Sequence, residues 1–470
     1  MSDAPEQLYA PREPVFPKRV KGTFRSLKWW IMGITLGIYY LAPWIRWDRG
    51  PNLPDQAILV DMANRRFFFF WIEIWPHEFY FIAGLLIMAG LGLFLFTSAA
   101  GRVWCGYACP QTVWTDLMIL VERWIEGDRN ARIRLHRQKW NAEKIRKRLF
   151  KFTAWILIAV ATGGAWVFYF ADAPTLLMDL LTMQAHPLAY STILVLTLTT
   201  FFFGGIAREQ ICIYACPWPR IQAAMMDEDT ITIAYRDWRG EPRGRGKKRD
   251  DLGDCIDCNA CVAVCPMGID IRDGQQMECI TCGLCIDACD EMMVKVGKER
   301  GLIDYLALKD EQHERDGNVK IPVMKHLLRP RTILYTSLWT LVGVALTVAV
   351  FARPKVDVTI RPVRNPTYVT LSDGAIRNTY DVGVRNRHGE EWPYYFTLTD
   401  GSPLTVELEG SDKLVLVAPP DTEAKQRVYV VAPPGSEAAK LDRTDLRIWV
   451  VDGVTGDRAH LDTVFNGRGR

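Results

Sequence analysis

Apolar residues in this chain gather into five runs long enough to cross a bilayer, at 27–45, 79–97, 150–170, 189–207 and 332–351, each nearly free of charge. They predict five membrane-spanning helices. The first is an anchor rather than a cleaved signal, because it has no small-residue cleavage site and runs on into Pro43, Trp44 and Arg46. Past Arg353 the period changes to two. Alternating runs at 356–360, 380–384, 394–398, 405–408, 414–417, 427–431 and 446–451 are separated by Asp-Gly, Pro-Pro and Gly-Ser, which predicts strands and turns. Seven or more strands in this space suit an immunoglobulin-like sandwich, here without a disulfide.

An apolar share of 49%, with 17 Trp and 20 Phe, agrees with a membrane protein of several domains. Net charge is only +3, but its distribution sets an orientation. Arg12, Lys18, Arg19, Lys21, Arg25 and Lys28 surround the start of the first run. The loop 98–149 carries Arg129, Arg132, Arg134, Arg137, Lys139, Lys144, Arg146, Lys147 and Arg148, whereas 171–188 has no basic residue. The N-terminus is therefore expected inside, the segment between runs four and five in the cytoplasm, and the tail outside. None of the 12 Cys falls in the segments expected outside, at 46–78, 171–188 and 352–470, as an oxidising compartment would favour. The basic stretch 129–151 abuts a span and meets anionic lipid rather than nucleic acid, and 243–249 reads as a basic linker. Neither GxGxxG nor GxxxxGK[ST] is present, so no nucleotide site is indicated.

The cysteines carry the chemistry. Cys255, Cys258, Cys261 and Cys265, then Cys279, Cys282, Cys285 and Cys289, repeat the spacing CxxCxxCxxxC that wraps 4Fe-4S clusters in two-cluster bacterial ferredoxins. In such runs the fourth Cys serves the neighbouring cluster. Cluster one is thus expected on Cys255, Cys258, Cys261 and Cys289, and cluster two on Cys265, Cys279, Cys282 and Cys285. Zinc would not need a third Cys at a strict two-residue gap twice over. Pro266 follows the first run, but Asp290 stands where a Pro usually follows the second.

The other four form Cys105-Gly-Tyr-Ala-Cys109-Pro110 and Cys212-Ile-Tyr-Ala-Cys216-Pro217, each just past a long apolar run, with Met118 and Met225 nine residues beyond. This is an internal repeat of span plus CxxxCP. On a helix an i, i+4 pair faces one way, and two such pairs present four soft ligands suited to Cu(I) or to an iron–sulfur cluster. Packing of the thiols at helix ends is the plainer alternative, and Met118 and Met225 are weaker candidates that fill core gaps as readily. Histidines give little. There is no CxxCH; His77 and His186, beside Pro76 and Pro187 at the outer ends of runs two and four, read as interfacial residues within reach of a metal ion or quinone.

The resulting fold class is a multi-domain membrane protein. It comprises a cytoplasmic segment 1–26; a transmembrane region 27–207 with the second CxxxCP just beyond, at 212–217; and a cytoplasmic part 208–331 holding a two-cluster ferredoxin-like α+β insert at about 250–295. A fifth helix at 332–351 and an outer all-β immunoglobulin-like domain at 352–470 follow. With Val103 to Trp114, Cys212 to Arg220 and the eight ferredoxin cysteines, this arrangement resembles the CcoG/FixG proteins, also called RdxA or RdxB, over essentially the whole chain. NapH-type quinol dehydrogenase subunits share the CxxxCP motifs and ferredoxin but not the tail. The resemblance implies a protein of the bacterial inner membrane, with its tail periplasmic, that assists assembly of the cbb-type haem-copper cytochrome c oxidase. It implies two 4Fe-4S clusters, an oxidoreductase (cupric reductase) activity with copper as substrate at Cys105, Cys109, Cys212 and Cys216, an unidentified electron donor, and a copper-exporting P-type ATPase and oxidase assembly factors as partners. Membrane lipid and a second copy of the chain complete the expected partners. A NapH-like quinol-linked subunit and a membrane redox sensor or assembly scaffold are the rival readings.

Overall fold

A computed structural model describes residues 14–50, 53–246, 251–319, 321–353, 356–388, 390–399, 401–420 and 422–469. The chain divides into two compact units, Met1–Ile45 with Gln56–Leu346, and Arg46–Asp55 with Thr347–Arg470.

The first unit is helical. Its elements are α1 (Thr23–Leu41), α2 (Tyr80–Ala100), α3 (Val103–Tyr107), α4 (Pro110–Glu126), α5 (Ala142–Val167) and α6 (Pro187–Thr200), the last continued by a π-helical stretch, Phe201–Ala207. A second π-helical turn, Ile211–Ala215, leads to α7 (Trp218–Met225); then come α8 (Ala260–Val264), α9 (Leu284–Lys295) and α10 (Pro330–Phe351). Among the described residues four helices are long and apolar enough to cross a membrane: Tyr80–Ala100, Ala142–Val167, Pro187–Ala207 and Pro330–Phe351. The run expected at 27–45 differs. Its helix starts at Thr23, so its first turns carry Arg25 and Lys28, both buried, and they lower its apolar character. The third span also starts early, at Ala142, because Asn141 accepts the amide of Lys144 at 2.8 Å and caps it.

Buried charge, not apolar contact alone, ties one end of these helices together. Asp116 of α4 lies 2.9 Å from Arg25 and 3.8 Å from Lys28. Glu122, on the same helix, meets Arg132, Lys151 at 3.2 Å and Arg208 at 2.9 Å. Glu126 meets Lys151 at 3.0 Å and Arg148 at 3.3 Å. Charges this deep persist only where they are mutually compensated.

Two small sheets complete the unit. A meander of β1 (Ile58–Asp61), β2 (Arg66–Phe69) and β3 (Ile72–Ile74) follows α1, an element the apolar pattern did not announce. Antiparallel β4 (Ile231–Tyr235) and β5 (Ile303–Ala307) bracket the ferredoxin segment, packing Ile233, Tyr235 and Ile303 against it.

The tail is a two-sheet β structure, as the alternation predicts. Its strands are β6 (Asp357–Pro362), β7 (Val369–Thr370), β8 (Ile376–Arg385), β9 (Trp392–Leu398), β10 (Thr405–Leu408), β11 (Val415–Ala418), β12 (Glu423–Ala432), β13 (Arg443–Asp452) and β14 (Arg458–Asn466). One sheet runs β10-β12-β8-β6, with β7 on β8, and the other β11-β9-β13-β14. Inward positions such as Tyr380, Val382, Phe396, Val428, Ile448 and Phe465 are fully buried, each worth about 1.5–3 kcal/mol for the larger side chains. The Tyr380 hydroxyl donates to the carbonyl of Val464 at 2.7 Å, joining the two sheets.

Candidate iron–sulfur and thiolate centre

The two ferredoxin runs fold alike. Residues two and four past the first Cys of each run, Asp257 and Asn259, then Thr281 and Gly283, all take positive φ, between 49° and 74°. For a β-branched Thr this conformation is an outlier held by its surroundings. Such turns aim backbone N–H groups at sulfur: Met267 and Ile269 donate to Cys265, Thr281 to Cys279 and Val262 to Cys261. Arg272 clamps the first loop, donating to Asp257 at 2.8 Å and Asn259 at 2.6 Å. Asp290 serves where Pro was expected, accepting the amide of Gly301 at 2.9 Å.

The electrostatics show which sulfurs lie near one another. Burial pushes the Cys289 thiol up to about 12, with further repulsion from Cys261, Asp290, Cys255 and Cys258. Burial likewise pushes Cys265 up to about 12, with Cys282 and Cys279 adding to it. Each fourth Cys thus sits with the other run's triplet. A cavity lined by Cys261, Cys265, Cys279, Cys282 and Cys285 and otherwise by apolar side chains lies there. Among the described residues no three His, Cys, Asp or Glu side chains close on a single ion. Thiols spread around an apolar space fit a bulky cubane and not tetrahedral zinc.

The CxxxCP pairs lie near enough for their thiols to influence one another, although no three of them close on a single ion. Burial pushes Cys212 up to about 12, helped by Cys109, Cys105 and Cys216. Burial also raises Cys105, although the Arg102 guanidinium opposes the shift. The repeat extends to the backbone. Four residues before the first Cys the chain breaks at Gly101 (φ 59, ψ −126) and at Arg208 (φ 44, ψ −115), and both second cysteines are extended before Pro. Cys105 donates its thiol hydrogen to Gln222 at 3.2 Å, and Gln222 donates to Thr97 at 3.2 Å. This centre abuts the ferredoxin: a Cβ on Gly106 would stand 2.5 Å from the carbonyl of Ile280 and 3.1 Å from Cα of Cys282. The Tyr107 hydroxyl donates to the carbonyl of Cys282 at 2.9 Å. Cys105, Cys282, Cys212 and Cys265 share one apolar core.

The remaining candidates sit elsewhere. Met118 is fully buried with its sulfur facing Gly204 and Gly205, where a Cβ would approach to 3.0 and 3.4 Å, a packing role. Met225 is buried on α7. The His186 ring accepts the amide of Leu188 at 3.2 Å and caps α6, and the side chain of His77 lies outside the described residues. Sequence reasoning missed Gln222, Arg102, Tyr107 and Asp287. Asp287, between Cys285 and Cys289 on α9, accepts the amides of Phe24 at 3.2 Å and Arg25 at 2.7 Å. A lone cation three residues before a Cys pair was the one legible signal, since cations activate thiols.

Three family models match: a 4Fe-4S dicluster domain over 207–308, a 4Fe-4S binding domain over 81–130, and the IG-like fold at the C-terminus of FixG over 346–468. The chain is 70% identical to protein RdxB of Cereibacter sphaeroides, covering 98% of each chain. It belongs to the CcoG/FixG family. Nitrogen fixation protein FixG of Rhizobium meliloti is 54% identical, over 86% of this chain and 82% of that one. Ferredoxin-type protein NapH of Escherichia coli is 23% identical over 58% of this chain and 90% of its own. Like FixG, this is an iron–sulfur electron-transfer protein with membrane helices and an immunoglobulin-like tail.

Proposed function

We propose that this protein reduces Cu(II) to Cu(I) at the cytoplasmic face of the bacterial inner membrane, for assembly of a cbb-type oxidase. The observation that carries the reading is the single apolar core shared by Cys105, Cys212, Cys265 and Cys282. Cys255, Cys258, Cys261 and Cys289 would hold one 4Fe-4S cluster, and Cys265, Cys279, Cys282 and Cys285 the other. Clusters so held supply one-electron storage. Cys105, Cys109, Cys212 and Cys216 then offer copper soft thiolates, which favour Cu(I) over Cu(II). Their thiols, raised by burial, give up protons as copper binds. Each copper takes one electron, and the oxidised protein is recharged by an electron donor. Cu(I) leaves by thiolate exchange to a copper-exporting P-type ATPase. Counting α1 as a fifth crossing puts the ferredoxin inside and the tail in the periplasm, in line with the basic loops and cysteine placement.

The test is anaerobic. The purified protein is reduced, its clusters followed by absorbance and EPR, stoichiometric Cu(II) added and Cu(I) trapped with a chelator. One Cu(I) per electron lost is expected, and Cys→Ser at the four CxxxCP positions should abolish it with both clusters intact. Clusters that stay reduced would sink the reading. The likeness to NapH keeps a quinol-linked role as the second reading; quinol oxidation that survives copper removal would favour it.

A further inference from the structure

A groove of about 770 Å³ lies between the start of α1 and helix α4. Its lining includes Arg19, Lys21, Arg25 and Arg123 and no carboxylate. Arg25 is engaged by Asp116 and stacks 3.9 Å above Trp29. Arg123 gives two hydrogen bonds to the carbonyls of Pro17 and Lys18, at 3.1 and 3.3 Å. Among the described residues none of the side chains of Arg19, Lys21 or Arg123 forms an ion pair. Burial, with the charges of Arg25 and Arg132, pulls Arg123 below its ordinary value, against the pull of Asp116 and Asp128 behind the groove.

The setting is interfacial. Trp124, 87% exposed, and Trp29 flank the groove, and Trp favours the headgroup level. From here a lipid-like track leads along α1. Gly33 and Gly37 leave open space above the backbone, and exposed Trp30, Ile34, Ile38 and Leu41 run beside them at helical spacing. We propose that the groove seats the phosphate of an anionic phospholipid, with an acyl chain lying along α1. Basic pockets between helices on the cytoplasmic side have the charge such headgroups require. The track favours a lipid over free phosphate, and the cations favour it over a neutral quinone. Because Asp287 caps α1 from within the second ferredoxin run, the bound lipid would steady the segment on which that run rests.

Native mass spectrometry of the full chain with its clusters loaded is the test, using phosphatidylglycerol against phosphatidylcholine. One phosphatidylglycerol should be retained in preference, and should not be displaced by inorganic phosphate. Arg19→Gln with Lys21→Gln, both exposed, should weaken retention about 30-fold, since each basic residue near a membrane surface is worth about 1 kcal/mol; cluster EPR should not change. Gly37→Leu, which blocks the track without touching a charge, should also weaken it. Equal retention of both lipids, retention unaltered in the charge variant, displacement by phosphate, or a co-purifying quinone or second copy in place of lipid would each overturn the proposal.

Discussion

The two CxxxCP repeats share a backbone and differ in what they face. Both begin with a left-handed break four residues before the first Cys and end with an extended Cys before Pro. In the first, Cys105, Gly106 and Tyr107 are all buried, and Gly106 lies against the loop of Cys282. In the second, Ile213 takes the place of that glycine and Tyr214 is 55% exposed. Equivalent motifs thus differ in enclosure: the first is buried against the loop of Cys282, while the second packs Cys212 and Ile213 on the edge of the same core and leaves Tyr214 exposed. The breaks divide in the same way. Gly101 adopts its conformation without a Cβ, whereas Arg208 is held there by Glu122 and by its own bond to the carbonyl of Gly205 at 2.6 Å.

The strongest way to break this pairing is Glu122→Gln, which leaves Arg132, Lys151 and Arg208 buried without their shared anion. A loss of about 3–5 kcal/mol is expected, read from thermal unfolding in detergent. Its pH signature can be worked out. Burial would raise the Glu122 carboxyl, but Arg208, Arg132 and Lys151 outweigh it and hold it at about 2. Its contribution is therefore complete above the unfolded value of about 4.3 and fades as pH falls towards 2, by about 3 kcal/mol. The wild type should lose stability across that window, and the Gln variant should lose about 3 kcal/mol less, because Asp116 and Asp227, also held below their ordinary values, still titrate there.

Next in size is Gly106→Ala. The new methyl must displace the backbone of Ile280 or Cys282, and copper-driven cluster oxidation should slow about 10- to 100-fold in stopped flow. An unchanged rate would mean that the first repeat is not the electron-accepting half. Gly101→Ala should cost about 1–3 kcal/mol in unfolding, because its φ of 59° suits no side chain unless a neighbour holds it. Smallest is Ile213→Ala, the counterpart of Gly106. It should alter the stopped-flow rate less than about 2-fold, since only packing at a half-buried position is lost, and a larger fall would erase the distinction between the halves.

What could be read from the chain alone follows from sequence distance. The CxxCxxCxxxC runs and the CxxxCP pairs are local patterns, so spacing disclosed them, and alternation disclosed the β tail. Gln222 and Asp287 were invisible because their partners are 117 and 262 residues away, and Asp287, although inside the second cysteine run, stands at one of its unspecified positions. The first apolar run was read as beginning at Leu27, whereas the helix begins four residues earlier, at Thr23. Arg25 and Lys28 looked like topology signals in the sequence, but the structure uses them as buried partners of Asp116. Apolar periodicity carries no information about a cation whose counter-charge lies on a distant helix.

The cap that Asp287 places on α1 also sets an order in time. The amides of Phe24 and Arg25 leave the ribosome long before their acceptor, 262 residues later for Arg25, which at ordinary elongation rates is about 13–50 s. During synthesis the first helix must therefore wait with its leading turn unsatisfied. It is sealed only once the second cysteine run has been made and folded, so the first helix waits on a segment more than halfway along the chain.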